Sequence, residues 1–279
     1  MSKIVFAMSM ALALAGTTSS FAQVHVIDQT VVRLNGGFPY KITQPGSYKL
    51  IGNLTVPRNT DGIVVTANHV TLNLNGFSIL GPVVCTANDT TGAAVCPAAT
   101  AKGIGIRSGD SAGGSIGALD LKIYNGSIHG MGSHGIFITG NGSTVEKVSA
   151  DGNAGDGMIV EGPVLASSAN GNGGFGILAV TIRDSSTVNN AGDGIVVDAR
   201  GGVAIGNASS FNGGAGITVP NGVANNNTVT RNTGVGISAK CPAVVTGNSI
   251  INNDGGSINA ELSGVEPCAI ANNATLPQF

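Results

Sequence analysis

Apolar residues at alternate positions recur down the second half of this chain: Ile136/Ile138, Met158/Val160, Ile177/Ala179, Ile195/Val197, Ile217/Val219 and Ile237/Ala239. A period of two marks a strand with one buried face. Gly-rich breakers precede each pair and β-branched residues are common within it, which argues against helix. The breaker is itself patterned as Asn, any residue, Gly, any residue, Gly or Ser, then an apolar residue. Its copies begin at Asn153, Asn172, Asn190, Asn212, Asn232 and Asn253, and the small residue four positions on is Gly157, Gly176, Gly194, Gly216, Gly236 and Ser257. Gly135-Ile136 supplies the same ending, with Met131 where the Asn would stand. From Gly135 the intervals are 22, 19, 18, 22, 20 and 21 residues. A period near 20 predicts one structural unit per copy, stacked on its neighbours. That length holds about three short strands and their turns, one lap of a coil whose laps lie ~4.8 Å apart.

Equivalent residues of stacked laps sit above one another, so the Asn column predicts a ladder of buried amides hydrogen-bonded up and down the stack. The same reasoning expects the Asn to accept a left-handed turn conformation and the two Gly residues to supply positive φ at the entry to the strand. A shorter column, Asn207, Asn227 and Asn248, stands five residues before the first.

These repeats resemble those of right-handed parallel β-helix proteins, the pectate-lyase-like superfamily, over about residues 63–258. "VTLNLNGF" near the start resembles the opening of many secreted bacterial members. The fold so implied is all-β, a single-domain right-handed parallel β-helix of about nine laps. For function the resemblance implies a choice among polysaccharide lyases, glycoside hydrolases, uronate epimerases, tailspikes and members with no assigned activity. A six-residue left-handed repeat is absent, and the Gly cluster comes once per lap rather than every nine residues as in calcium-binding rolls.

Residues 1–22 read as a secretory signal: Lys3, an apolar run from Ile4 to Ala15, and Ser20-Phe21-Ala22 as a small-x-small cleavage site. The run is too short to span a bilayer, and export is the expectation, to the periplasm or outside the cell. Loss of Lys3 leaves 12 of the 13 basic residues against 15 acidic ones, a net charge of −3 that gives no support for nucleic-acid binding. Four cysteines suit an oxidising compartment, and proximity pairs Cys85 with Cys96 and Cys241 with Cys268. Residues 23–62 read as short strands capping the open end of the coil, 63–261 as the coil, 83–102 as a disulfide loop inserted in it, and 262–279 as a C-terminal cap.

Chemistry needs polar residues in register on the outer wall. The position before each anchor Gly runs His134, Asp156, Phe175, Asp193, and the position four after it runs Thr139, Glu161, Val180, Asp198. Asp156 and Asp193 are two laps apart, as are Glu161 and Asp198, so ~9–10 Å separates their backbones. Inverting glycosidases hold their two carboxyls roughly 6.5–9.5 Å apart, leaving room for a water. His134 stands one lap from Asp156. His134, Asp156, Glu161, Asp193 and Asp198 are therefore the candidate catalytic set, against the plainer roles of turn and surface residues. No metal or cofactor motif is present; calcium, which needs six to eight oxygens, is the one ion the carboxylate columns invite. Neither the paired-Asp and Gly-His-Gly motifs of polygalacturonases nor an arginine-centred lyase motif occurs.

Phe137, Ile159, Leu178 and Val196 form an outward apolar column, read as covered by the 83–102 loop or a terminal segment, as an oligomer interface, or as the floor of a groove. Two functions remain: a polysaccharide- or cell-surface-glycan-binding or -processing protein, or a non-catalytic structural or adhesive module.

Overall fold

Each apolar pair is pulled into one core, and the laps align to share it. The computed structural model describes residues 23–100, 102–109, 117–262 and 266–276. Ile136, Met158, Ile177, Ile195, Ile217, Ile237 and Ile258 are successive partners in a parallel register. The first six have no exposed surface, and each such side chain contributes roughly 2–3 kcal/mol by leaving water.

Three parallel faces enclose that core. The first sheet begins with Tyr40–Ile42, Ile63–Val65, Ile106–Ser108 and Ile136–Ile138, passes through the opening halves of Met158–Leu165 and Ile177–Arg183, and ends at Ile258–Glu261. The second runs from Val24–Ile27 to Ala269–Ala271 and the third from Leu54–Thr55 to Ala274–Leu276. The result is a right-handed parallel β-helix of about 11 turns. The sequence pattern predicts about nine; the number rises because strands within 23–62 and 266–276 also stack in register, Val24 on Ser47 and Ala269 on Val244. Among residues 23–62, expected to hold strands alone, lies a helix, Gln29–Leu34, N-capped by Asp28 Oδ1 accepting from Val31 N–H at 2.7 Å. Its Val32 enters the core. Residues 1–22, expected to be the signal, lie outside the described residues.

The Asn ladder stands in the turn between the third and first sheets. Asn153, Asn172, Asn190, Asn212, Asn232 and Asn253 are joined Nδ2 to Oδ1 at 2.9 Å, and each Oδ1 from Asn172 onward also accepts the backbone N–H of the Asn before it. Asn153 Oδ1 accepts Met131 N–H, so the ladder ends where the sequence lacks its Asn. The second column continues to Asn273 on one side and passes to Ser185 and Ser167 on the other.

The expected reason for the glycines is corrected. Neither the ladder Asn nor the anchor Gly has positive φ, apart from Gly256 beside the last anchor; the left-handed residue is the one before each Asn, as at Gly171 and Asn189. The anchor glycines are required by close approach: a Cβ at Gly176 would lie 2.5 Å from Gly194 O.

Both expected disulfides, Cys85–Cys96 and Cys241–Cys268, are present. The 83–102 loop carries a small antiparallel pair, Thr86–Ala87 with Ala94–Val95, and runs as a strap along the outside of the Asn turn. Thr100 N–H donates to Gly132 O and Ala94 N–H to Asn189 O, and the Cys85 and Cys96 sulfurs lie against Gly152 O and Asn153 O. It does not run along the Phe137 column, one of the placements the sequence allows.

Candidate functional site

The outward positions of the first sheet make one continuous column, in which Arg107, Phe137, Ile159, Leu178, Val196 and Thr218 are successive partners. All six are half-buried. The two candidate rows border this column, one on each long side.

The row before the anchor Gly follows one rule. Its polar side chains cap the backbone N–H of the same position one lap on: Asp61 Oδ1 accepts from Ile104 at 3.0 Å, His134 Nδ1 from Asp156 at 3.0 Å, Asp156 Oδ1 from Phe175 at 2.6 Å and Asp193 Oδ1 from Ala215 at 2.8 Å. The second oxygen of each Asp finds a different partner. Asp61 Oδ2 accepts from Arg107 Nε at 2.6 Å, Asp193 Oδ2 accepts from Thr218 Oγ1 at 2.6 Å, and Asp156 Oδ2 lies 3.2 Å from His134 Nδ1. Nδ1 thus serves one partner at a time. Protonated, it donates to the Asp156 carboxylate; bare, it accepts the Asp156 N–H. The His134 ring stacks on Phe137 with centroids 5.8 Å apart and planes at 26°.

The row on the far side gathers around a guanidinium. Arg200 Nε and Nη2 donate to the two oxygens of Asp198, each at 2.8 Å, while Glu161 Oε1 stands 4.0 Å from Nη2. Hydrogen bonding from Arg200 holds the Asp198 carboxyl below its ordinary value, against a smaller opposing push from burial. Arg200 itself is exposed, so this fork orders the turn more than it stabilises the fold.

Of the five candidates, the structure joins His134 to Asp156 directly and Glu161 to Asp198 through Arg200. Asp193 stands apart with Thr218, and the lap of Phe175 separates it from Asp156. Two residues were missed, Asp61 and Arg107. Asp61-Gly62-Ile63 repeats the triplet of Asp156-Gly157-Met158 and Asp193-Gly194-Ile195, which could have found the first. Two other His–Asp pairs, His129 with Asp151 on the third sheet and His69 with Asp120 on the surface, lie away from this column. Among the described residues no three His, Cys, Asp or Glu converge as metal ligands, and no helix is long and apolar enough to cross a membrane.

Three stacked parallel faces and an internal Asn ladder, with a polar-edged column facing outward from the first sheet, define a right-handed parallel β-helix. Among solved structures, a mutant of the periplasmic alginate epimerase AlgG matches with a TM-score of 0.50 at 12% identity, over 85% of this chain and 76% of that one. The A-module of an Azotobacter vinelandii mannuronan C-5 epimerase gives 0.41 at 13% identity over 90% and 94% of the two chains. The Dettilon tailspike protein gives 0.39 at 12% identity over 80% and 58%. At such identities the likeness is one of fold. No protein-family model matches the sequence, and no curated protein sequence matches it.

Proposed function

We propose that the outward column of the first sheet binds an acidic polysaccharide outside the cytoplasm, and that lyase- or epimerase-type proton abstraction takes place where His134 meets Phe137. The observation that carries this reading is the His134–Asp156 contact. With its proton on Nδ1, held by the Asp156 carboxylate, the imidazole presents an unprotonated Nε2 as a base. Among the described residues Nε2 has no other partner. Arg107, one lap below Phe137 in the same column, already pairs with Asp61 through Nε, and its remaining guanidinium N–H groups would meet the carboxylate of a uronate, whose neutralisation makes the proton on the adjacent carbon removable. The apolar run from Phe137 to Val196 is the floor on which the sugar chain lies. Two disulfides fit an oxidising compartment and hence an exported protein. The fold is also that of a periplasmic alginate epimerase; the reading itself rests on the site.

A hydrolase is less well supported, because Asp156 and Asp193 each engage both oxygens with partners of their own, a backbone amide and a side chain, and do not face one another. That capping rule instead favours the second reading, a non-catalytic adhesive wall built on the same column.

The test is turnover on polyuronates and neutral glycans, followed by unsaturated-uronate absorbance, reducing ends and proton NMR of C5 inversion. Wild type is expected to act on a polyuronate. His134→Ala should lower kcat at least a hundredfold, and Asp156→Asn should lower it tenfold or more and move the pH profile. Retention on an insoluble glycan without turnover would transfer the site to the adhesive reading; neither turnover nor retention would overturn both.

A further inference from the structure

Outside the Asn turn, the residue immediately before each ladder Asn is held in the left-handed region. Down the stack this position is Gly152, Gly171, Asn189, Phe211, Arg231 and Asn252, all with φ between 55 and 63°. Glycine and asparagine adopt this conformation readily; a phenylalanine or arginine does so only under strain. Two bulky side chains are thus placed on adjacent laps where the fold favours small or amide residues, and backbone strain of this kind is a lead to function.

What they build is a cleft. Arg231 lies over the Phe211 ring, its guanidinium carbon 5.5 Å from the centroid. Phe211 is 36% exposed. Thr90 and Thr91, at the tip of the 83–102 strap, form the facing wall of a cleft of about 520 Å³ whose floor continues through Thr233, Asn252 and Asp254. Asn88 Oδ1 fixes that tip by accepting the backbone N–H groups of Thr90 and Thr91 at 2.9 and 3.0 Å. The cleft therefore has two walls, the strap and the stacked turn, and it lies around the corner from the first sheet.

We infer that this cleft is a second saccharide-binding site, one that takes a uronate residue. The exposed part of Phe211, beside the guanidinium that lies over its ring, gives apolar surface against which a pyranose packs. A planar guanidinium pairs bidentately with a carboxylate. Hydroxyl and amide groups at the rim, from Thr90, Thr91, Thr233 and Asn252, match the hydroxyls of a sugar. The site is independent of the chemistry at His134, and it anchors a glycan on the turn face whether or not the first sheet turns one over.

The experiment titrates the full chain with galacturonate and mannuronate tetramers and with cellotetraose, read by calorimetry and by the Arg side-chain Nε–H NMR signals. Saturable binding of a uronate tetramer that moves the Arg231 signal is expected, with cellotetraose at least tenfold weaker. Phe211→Gly and Arg231→Gly should each weaken uronate binding at least tenfold while leaving Tm unchanged or higher, because glycine relieves the φ of this position. Phe211→Asn, which copies Asn189 and Asn252, is the second variant should glycine loosen the turn. No uronate binding at millimolar concentration overturns the proposal. So does binding that Phe211→Asn and both glycine variants leave intact, which would place the ligand elsewhere.

Discussion

Asn190 concentrates the logic of the ladder in one side chain. Its Nδ2 donates to Ala169 O and Asn212 Oδ1, and its Oδ1 accepts both the N–H and the Nδ2 of Asn172, all without exposure to water. Removing the amide leaves several buried polar groups unpaired, each costing about 1–3 kcal/mol. Asn190→Ala should therefore lose about 3 kcal/mol or more in urea unfolding, whereas Asn253→Ala, at the 6%-exposed end of the ladder, should lose about 1 kcal/mol because water reaches the vacated groups. Equal losses at the two positions would mean that the ladder is not what holds these turns. The Asn column was legible because six copies show it. Arg107 was not: its partner Asp61 lies 46 residues earlier, across the strap, and no regular interval joins them. Nor could the sequence tell a glycine kept for its φ from one kept for its missing Cβ. Gly171 and Gly176 look alike in the chain, yet the first has φ of 63° and the second packs against Gly194 O.

The strap shows how an inserted element is positioned by the coil rather than by its own sequence. Cysteine spacing revealed its closure, but small polar residues carry no pattern that says which face they will cover. Its placement follows from backbone groups that the turn leaves pointing outward: Gly132 O and Asn189 O take its amides, and Cys96 Cβ reaches the place where a side chain at Gly173 would be. Closing this short loop removes freedom mainly from the unfolded chain, worth about 2–3 kcal/mol. The variant with Cys85→Ser and Cys96→Ser should lose stability of that order. Faster hydrogen exchange should be confined to turn amides on the laps the strap crosses, such as Gly152, Gly171 and Asn189. Uniformly faster exchange across all laps would show that the strap supports the whole coil instead.

At the scale of the molecule, stability is a sum of laps, and the last laps lean on fewer neighbours than the rest. Ile270 partners Val245 and so occupies an inward position, yet it is 44% exposed, where Val245 has no exposure. Strand pairing carries this end on in register, and among the described residues two further links reinforce it: the Cys241–Cys268 disulfide and the second ladder, in which Asn273 Oδ1 accepts the N–H and the Nδ2 of Asn248. Hydrophobic burial, which secures every middle lap, contributes least here, so the covalent link does more than packing to hold the end in place. The variant with Cys241→Ser and Cys268→Ser should fray residues 266–276 and expose the face of Val245 and Ile250, while the Asn153–Asn232 ladder stays protected. Urea unfolding should then show a smaller m-value with the main midpoint little changed, since less surface remains to be exposed in the cooperative step. A single transition shifted to lower urea with an unchanged m-value would instead mean that the end folds as one unit with the coil, its strands held by their pairing and by the ladder without the disulfide.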